Sequence, residues 1–275
     1  MDRLPHHFDQ VGAAQPCLFV ASRIVRFFGH SRSLPGACSR ISSHAGCQYN
    51  ATSHSHPRYS QRFEALDIAV LGTGNVGATL GRRLAGLGHN IVFGSRLPQS
   101  ERVQQLIEEN PHAHAAETIA EAARQCDTIL FAAPWTAARE TLTNAGDLTG
   151  KTLIDCTNPL NETFDGITLG HTESAAEKIA HWAAGAHVVK AFNTASLATM
   201  ENPDFDGQRA TMFYCGDDVT AKATAGTLID ELGFEAIDAG DLQSARYLEP
   251  MAMLYIQLAI HQKMGSQFAL KMLRR

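Results

Sequence analysis

Beyond residue 63 the chain alternates between two hydrophobic patterns: short apolar runs, and segments whose apolar positions recur at helical spacing. The first pattern predicts buried strands and the second amphipathic helices. A strand is expected over 65–71, where Ile68, Val70 and Leu71 fall together, and a helix over 78–87, with Leu80, Leu84 and Leu87 on one face and Gly88 closing it. Asn90 to Phe93 begins a second strand. Helices follow over 99–110, stopped by Pro111, and over 117–125. Further strands are expected at 127–133, 151–156, 187–192, 210–215 and 235–238, with a helix over 221–232 between the last two. Residues 248–273 read as largely helical with a break at Gly265. Strands alternating with helices predict an α/β fold: a Rossmann-type, doubly wound, mostly parallel sheet with a C-terminal helical extension.

The first strand runs into Gly72-Thr73-Gly74-Asn75-Val76-Gly77, and the helical pattern starts at once. Glycine triplets of this spacing are common by chance; strand, turn, helix and strand within about 30 residues are the context that gives this one meaning. Gly72 permits the tight turn, Gly74 lets backbone approach a pyrophosphate, and Gly77 lets the helix pack against the strand. The helix N-terminus, through Thr73, Asn75 and Val76, then directs unpaired N–H groups at an anion.

The end of the second strand selects the dinucleotide. An acid there would bind the ribose 2′-hydroxyl, whereas a cation accommodates a 2′-phosphate. The chain reads Phe93-Gly94-Ser95-Arg96 with no acid. Ser95 offers a hydroxyl and Arg96 a guanidinium suited to bidentate phosphate bonding, with Thr73 within reach. NADP(H) is therefore expected over NAD(H).

Charge divides the chain. Residues 1–62 hold seven arginines, no lysine and two acids (Asp2, Asp9), a net +5; with −5 for the whole chain, the remainder carries −10. An acidic body argues against nucleic-acid binding, and no apolar run reaches membrane-spanning length. The six cysteines (17, 38, 47, 126, 156, 215) include no C-x-x-C pair, so reduced thiols and a cytoplasmic location are expected. The leader at 1–62 is Arg- and Ser-rich and holds six of the thirteen histidines. Disorder, or a mis-assigned translation start that leaves it out of the mature protein, is favoured over an organellar transit peptide; His54 and His56 read as a polar loop. The rest, 63–275, is read as one NADP-binding domain.

Ligands of such sheets sit beyond the strand C-termini. This draws attention to Ala132-Ala133-Pro134, whose small residues leave room for the cofactor, and to the second-substrate candidates Trp135, Asn158, Asn193 and Thr194. Trp135 either covers a ring or simply packs; the two asparagines either orient a substrate or satisfy local turns. Lys190 reads as a stem along the sheet edge with its ammonium in water. His112 and His114 read as a surface loop, and Asp217 with Asp218 as a turn. No metal site and no catalytic acid–base pair stands out.

The chain resembles the NADPH-dependent F420 reductase family from about Asp67 to Leu273. The resemblance rests on Gly72–Gly77, Gly94-Ser95-Arg96, Pro134-Trp135, Cys215-Gly216-Asp217-Asp218, Asp238-Ala239-Gly240-Asp241-Leu242, Arg246-Tyr247-Leu248-Glu249-Pro250 and Met264-Gly265. The nucleotide domain also resembles those of pyrroline-5-carboxylate reductases and of the cytosolic half of STEAP metalloreductases. The resemblance implies a pyrophosphate held by Thr73 to Val76, a 2′-phosphate held by Ser95 and Arg96, and a tail site at Met264 and Gly265. One segment departs: archaeal members that reduce F420 read His-Thr-Ile-Pro where this chain has Asn193-Thr194-Ala195-Ser196. The nucleotide assignment therefore transfers better than the acceptor assignment.

The expected activity is hydride transfer between NADPH and a flavin-like or deazaflavin (F420-type) small-molecule acceptor. An imine reductase of the pyrroline-5-carboxylate type and a non-catalytic NADP(H) sensor are the alternatives. The C-terminal helix walls the acceptor pocket or forms a homodimer face.

Overall fold

A computed structural model describes residues 64–275. The leader, with His54, His56 and Cys17, Cys38 and Cys47, lies outside the described residues.

The nucleotide-side elements are β1 (Asp67–Leu71), α1 (Asn75–Gly86), β2 (Asn90–Gly94), α2 (Glu101–Glu108), β3 (Ala113–Ala115), α3 (Ile119–Gln125), β4 (Thr128–Phe131) and α4 (Ala138–Ala145). They are followed by β5 (Thr152–Asp155), α5 (Ala175–Trp182), β6 (His187–Lys190) and α6 (Leu197–Glu201). A two-stranded hairpin, β7 (Asp204–Phe205) with β8 (Gln208–Arg209), precedes β9 (Thr211–Gly216), α7 (Val219–Glu231), β10 (Glu235–Asp238) and α8 (Ala245–Ile256).

The main sheet has eight strands in the order β10-β9-β6-β5-β4-β1-β2-β3. Its neighbours are parallel except β6 and β9, which pair antiparallel through Val189 with Gly216 and Lys190 with Cys215. The chain winds outward from β1 to β3 and then returns through β4 on the other side of β1. The switch point thus lies between β1 and β4, where a doubly wound sheet opens a crevice.

Side-chain alternation along β1 feeds two cores. Ile68 and Val70 belong to the core that also holds Leu80 and Leu84 of α1 and Leu228 and Ile229 of α7. Ala69 and Leu71 belong to the other core, with Ala122 of α3, Leu142 of α4 and Ile179 of α5. Burial on both faces explains why the central strands read as unbroken apolar runs.

Two expectations change. His112 and His114 are not in a simple loop: Ala113–Ala115 forms the edge strand β3, where Ala113 packs inward and His114 points out to Gln125. Its strand pattern is too short to register as period two. Residues 248–273 are not one helix. After α8 the chain makes one π turn, Gln257–His261, and then leaves helical geometry, with Lys263 and Gly265 at φ of 57° and 75°. The remaining tail folds back: Thr211 N–H donates to the Leu270 carbonyl at 2.9 Å, and Phe268 stacks on Tyr255 with ring centroids 4.3 Å apart. The apolar residues that looked helical serve this return instead. Helices α4, α5 and α6 were not among those expected, although Ala138, Thr141, Leu142 and Ala145 of α4 are buried at helical spacing.

Candidate functional site

The β1–α1 turn is built around its glycines. Gly72 has φ of 109°, and a Cβ there would lie 2.7 Å from the Ala132 carbonyl group. That contact is the close approach of β1 to the end of β4, so only glycine fits. A Cβ on Gly77 would fall 1.9 Å from the Gly72 carbonyl oxygen. Gly74 differs: nothing lies within 4 Å of its Cβ position, which faces open space. Gly74 is also the N-cap of α1, which has no side-chain cap and no acid in its first turn. Its leading N–H groups are left for an anion.

Two cavities open at the sheet's mouth. The first, about 430 Å³, is lined by Thr73, Ser95, Arg96, Ser100, Arg102 and Thr141 among others, and no carboxylate lines it. The Thr73 hydroxyl donates to Ser95 Oγ at 3.3 Å, and Gly72 N–H donates to the Gly94 carbonyl at 3.2 Å, so the ends of β1 and β2 are tied together. Arg96 is exposed and makes no ion pair among the described residues. The second cavity, about 650 Å³, is lined by Asn75, Val76, Trp135, Asn158, Glu162 and Phe164 among others. Gly74, Ala133 and Pro134 line both, and Ala132 lines the second. Trp135 stacks on Trp182 of α5 at 5.4 Å, so it is held in place while it presents to the cavity.

The remaining second-substrate candidates are not all brought there. Asn158 lines the second cavity, and its amide donates to the Asn193 carbonyl at 2.9 Å. Asn193 is buried; its amide donates to Asn158 Oδ1 at 3.0 Å and to the Leu248 carbonyl at 3.1 Å. Asn193 thus ties the β6 end to the β5 end and to α8. Thr194 is buried against Met212. Met264 and Gly265 lie in the returning tail and line neither cavity.

Lys190 corrects the expectation of an ammonium in water. It is fully buried, and its Nζ donates to Asp155 Oδ2 at 2.7 Å and to the Thr157 carbonyl at 2.6 Å, with Glu249 Oε1 at 2.9 Å. Burial works to lower its pKa, but the two carboxylates outweigh burial and hold it above the ordinary lysine range. Asp155 also accepts the Thr157 N–H at 2.8 Å, so both backbone groups of Thr157, in the cavity wall, are gripped. Glu249 meanwhile accepts N–H groups of Ala175 and Ala176 at the start of α5, at 2.8 and 3.1 Å. The positive end of that helix offsets the second carboxylate.

Cys156 lines the second cavity, but burial first, and then the Asp155 charge, push its thiol well above its ordinary range. A raised thiol pKa disfavours the thiolate, which is the nucleophilic form. Asp218 is the N-cap of α7, accepting from Ala221 N–H at 2.8 Å, and Asp217 accepts Leu242 N–H at 2.9 Å. They are a helix cap and a loop tie, more than the turn expected. Sequence reasoning missed Ser100 and Arg102, which line the first cavity from the start of α2. The signal available was position: they open the helix that follows Arg96.

The family model described as NADP oxidoreductase coenzyme F420-dependent matches residues 67–159. The chain is 31% identical over 210 residues to the F420-dependent NADP reductase of Methanothermobacter marburgensis, covering 71% of this chain and 93% of that protein. It is 33% identical over 191 residues to the rat metalloreductase STEAP3; that match covers 69% of this chain but only 37% of the relative's length. A crystal structure from Arthrobacter sp. FB24, assigned as an F420 dependent NADP-reductase, superposes with a TM-score of 0.70 at 33% identity, covering 76% of this chain and all of that one.

Proposed function

This chain belongs to the family of coenzyme F420-dependent NADP oxidoreductases, and from that premise we propose that it transfers hydride between NADPH and a flavin-like or deazaflavin acceptor. One observation carries the proposal: a cation-lined cavity and a cation-free cavity meet at Gly74, Ala133 and Pro134 on the switch point of the sheet. In this reading Ser95, Arg96 and Thr73 hold the 2′-phosphate. The α1 amides from Gly74 to Val76 hold the pyrophosphate, and Gly72 and Gly77 keep that loop close to the sheet. Ala132, Ala133 and Pro134 form the floor along which the nucleotide passes into the second cavity.

NADPH supplies the hydride; the protein's part is to hold the acceptor's reacting atom close and aligned, with water excluded. Trp135, backed by Trp182, provides a flat apolar wall for a planar ring. The Asn158 side chain, fixed by Asn193, offers an uncharged polar group to orient it. No Lys, His or Tyr lines the second cavity, and its one carboxylate, Glu162, is exposed. That favours a flavin-type acceptor, whose ring can take its proton from water, over an imine, whose nitrogen needs a placed donor. Asn193, Thr194, Met264 and Gly265 then act behind the cavity or away from it.

The three described cysteines are buried free thiols, in keeping with a reducing, cytoplasmic location, and no described helix is long and apolar enough to cross a membrane. The test is direct. Purified protein titrated with NADPH should show saturable binding, followed by NADPH oxidation dependent on F420, FAD or FMN. Turnover with pyrroline-5-carboxylate alone would overturn the acceptor assignment. Binding without turnover on any of these would support a sensor, and absence of saturable NADPH binding would overturn the whole reading.

A further inference from the structure

We propose that Arg102 is a second determinant of NADP(H) preference, a cation brought to the nucleotide 2′-phosphate by a different element from Arg96. The inference rests on the nucleotide assignment above and extends it.

Arg102 lines the first cavity together with Arg96, Ser95, Ser100 and Thr73, in a wall that holds no carboxylate. Arg96 lies just beyond the end of β2, whereas Arg102 is the second residue of α2. Like Arg96, Arg102 is exposed and forms no ion pair among the described residues. Three other arginines are engaged by carboxylates, Arg82 by Glu201, Arg209 by Asp230 and Arg246 by Glu177, whereas Arg124, Arg139, Arg274 and Arg275 are exposed without such a partner among the described residues and line neither cavity. Arg102 is instead steered by a neutral group, its Nη2 donating to Asn75 Oδ1 at 2.8 Å. A neutral acceptor fixes the position of the guanidinium without cancelling its charge. The bond ties Arg102 of α2 to Asn75, the first residue of α1, and Arg102 lines the same cavity wall as Thr73, Ser95 and Arg96.

The charge requirement is specific. A phosphate monoester carries about −1.5 to −2 at neutral pH and presents three acceptor oxygens. One guanidinium binding bidentately satisfies two of them and one unit of charge. The Ser95 and Thr73 hydroxyls add donors but no charge. A second guanidinium supplies what remains, and Arg102 is the other cation in the cavity wall.

The experiment measures dissociation constants for NADPH and NADH by nucleotide fluorescence in the wild type, Arg102→Ala, Arg102→Lys, Asn75→Ala and Arg96→Ala. Arg102→Ala should raise the NADPH constant about 10-fold, the loss of one exposed charge-assisted contact. It should leave the NADH constant within about twofold. Arg102→Lys should recover part of the loss, and Asn75→Ala should weaken NADPH binding by releasing the guanidinium. Because Arg102 is exposed, the Ala variant keeps the fold, which its melting temperature checks. Equal weakening of both nucleotides would place Arg102 on the pyrophosphate and overturn the proposal, as would no change in either. If the wild type binds NADPH and Arg96→Ala weakens it while Arg102→Ala does not, only the present inference fails. If the wild type does not bind NADPH, the nucleotide assignment itself fails.

Discussion

The two cavities share a wall but are assembled in opposite ways. The cation-lined one takes most of its lining from one stretch of chain, Gly72 to Arg102, with a few residues added from 119–141. Thr73, Ser95, Arg96, Ser100 and Arg102 in it are exposed or half-exposed, and of its polar side chains only Thr141 is buried. The other draws on 74–76, 132–136 and 156–164 and is backed by residues distant in sequence: Lys190, Asn193 and Glu249. The charges of that framework, on Lys190, Asp155 and Glu249, are buried and neutralise one another. The comparison teaches that a cation-lined cavity can be made from local geometry, whereas the second cavity has a framework behind it.

Substitutions should separate the two. The largest effect is expected at Lys190. Lys190→Met strands the buried carboxylates of Asp155 and Glu249 and should cost about 3–5 kcal/mol of stability, read by urea denaturation. A loss below about 1 kcal/mol would mean that the framework is not held by this triad. Next is Gly72→Ala on the nucleotide side. The left-handed φ and the 2.7 Å approach to Ala132 resist a side chain. About 1–3 kcal/mol of stability should be lost, and NADPH should no longer raise the melting temperature to the wild-type extent.

Smaller changes sharpen the contrast. Arg96→Ala should leave the melting temperature alone and raise the NADPH dissociation constant about 30-fold, or about 2 kcal/mol, without affecting NADH. Trp135→Leu should do the converse, raising the acceptor KM about fivefold, near 1 kcal/mol, with NADPH affinity unchanged. If Trp135→Leu also weakened NADPH binding, the cavities would not be separable.

The smallest effect concerns the thiols. Burial pushes Cys215 up to about 12, with Cys156 also raised. At pH 8 neither should react with iodoacetamide in the folded protein, as peptide mapping would show. An acid whose folded pKa is raised favours folding fully only below its unfolded value. Stability should therefore decline as pH climbs above about 9 toward 12, where the unfolded thiolates form first.

What was legible in the sequence follows the same division. The doubly wound, mostly parallel sheet and the glycine turn were readable because Ile68 to Leu71 are buried on both faces and Gly72 and Gly77 have no room for a side chain. The place of Arg96 in the wall of the first cavity was readable because it stands where the second strand ends. Lys190 was not, because nothing local to an apolar strand reveals that Asp155 and Glu249, 35 and 59 positions away, will meet it. Arg102 was missed for a related reason: its significance lies in the neutral partner that α1 supplies. The returning tail was misread because Phe268 and Leu270 look equally apolar on a helix or on a segment folded against Tyr255 and Thr211.

Glu249 has a consequence for how such a protein can change over time. One carboxyl group both neutralises Lys190 and opens α5 through Ala175 and Ala176. Replacement by glutamine keeps the shape but removes the charge, and replacement by an apolar residue forfeits both duties at once. Positions 155, 190 and 249 should therefore be epistatic, each single step worse than the completed exchange, so that lineages alter all three together or none.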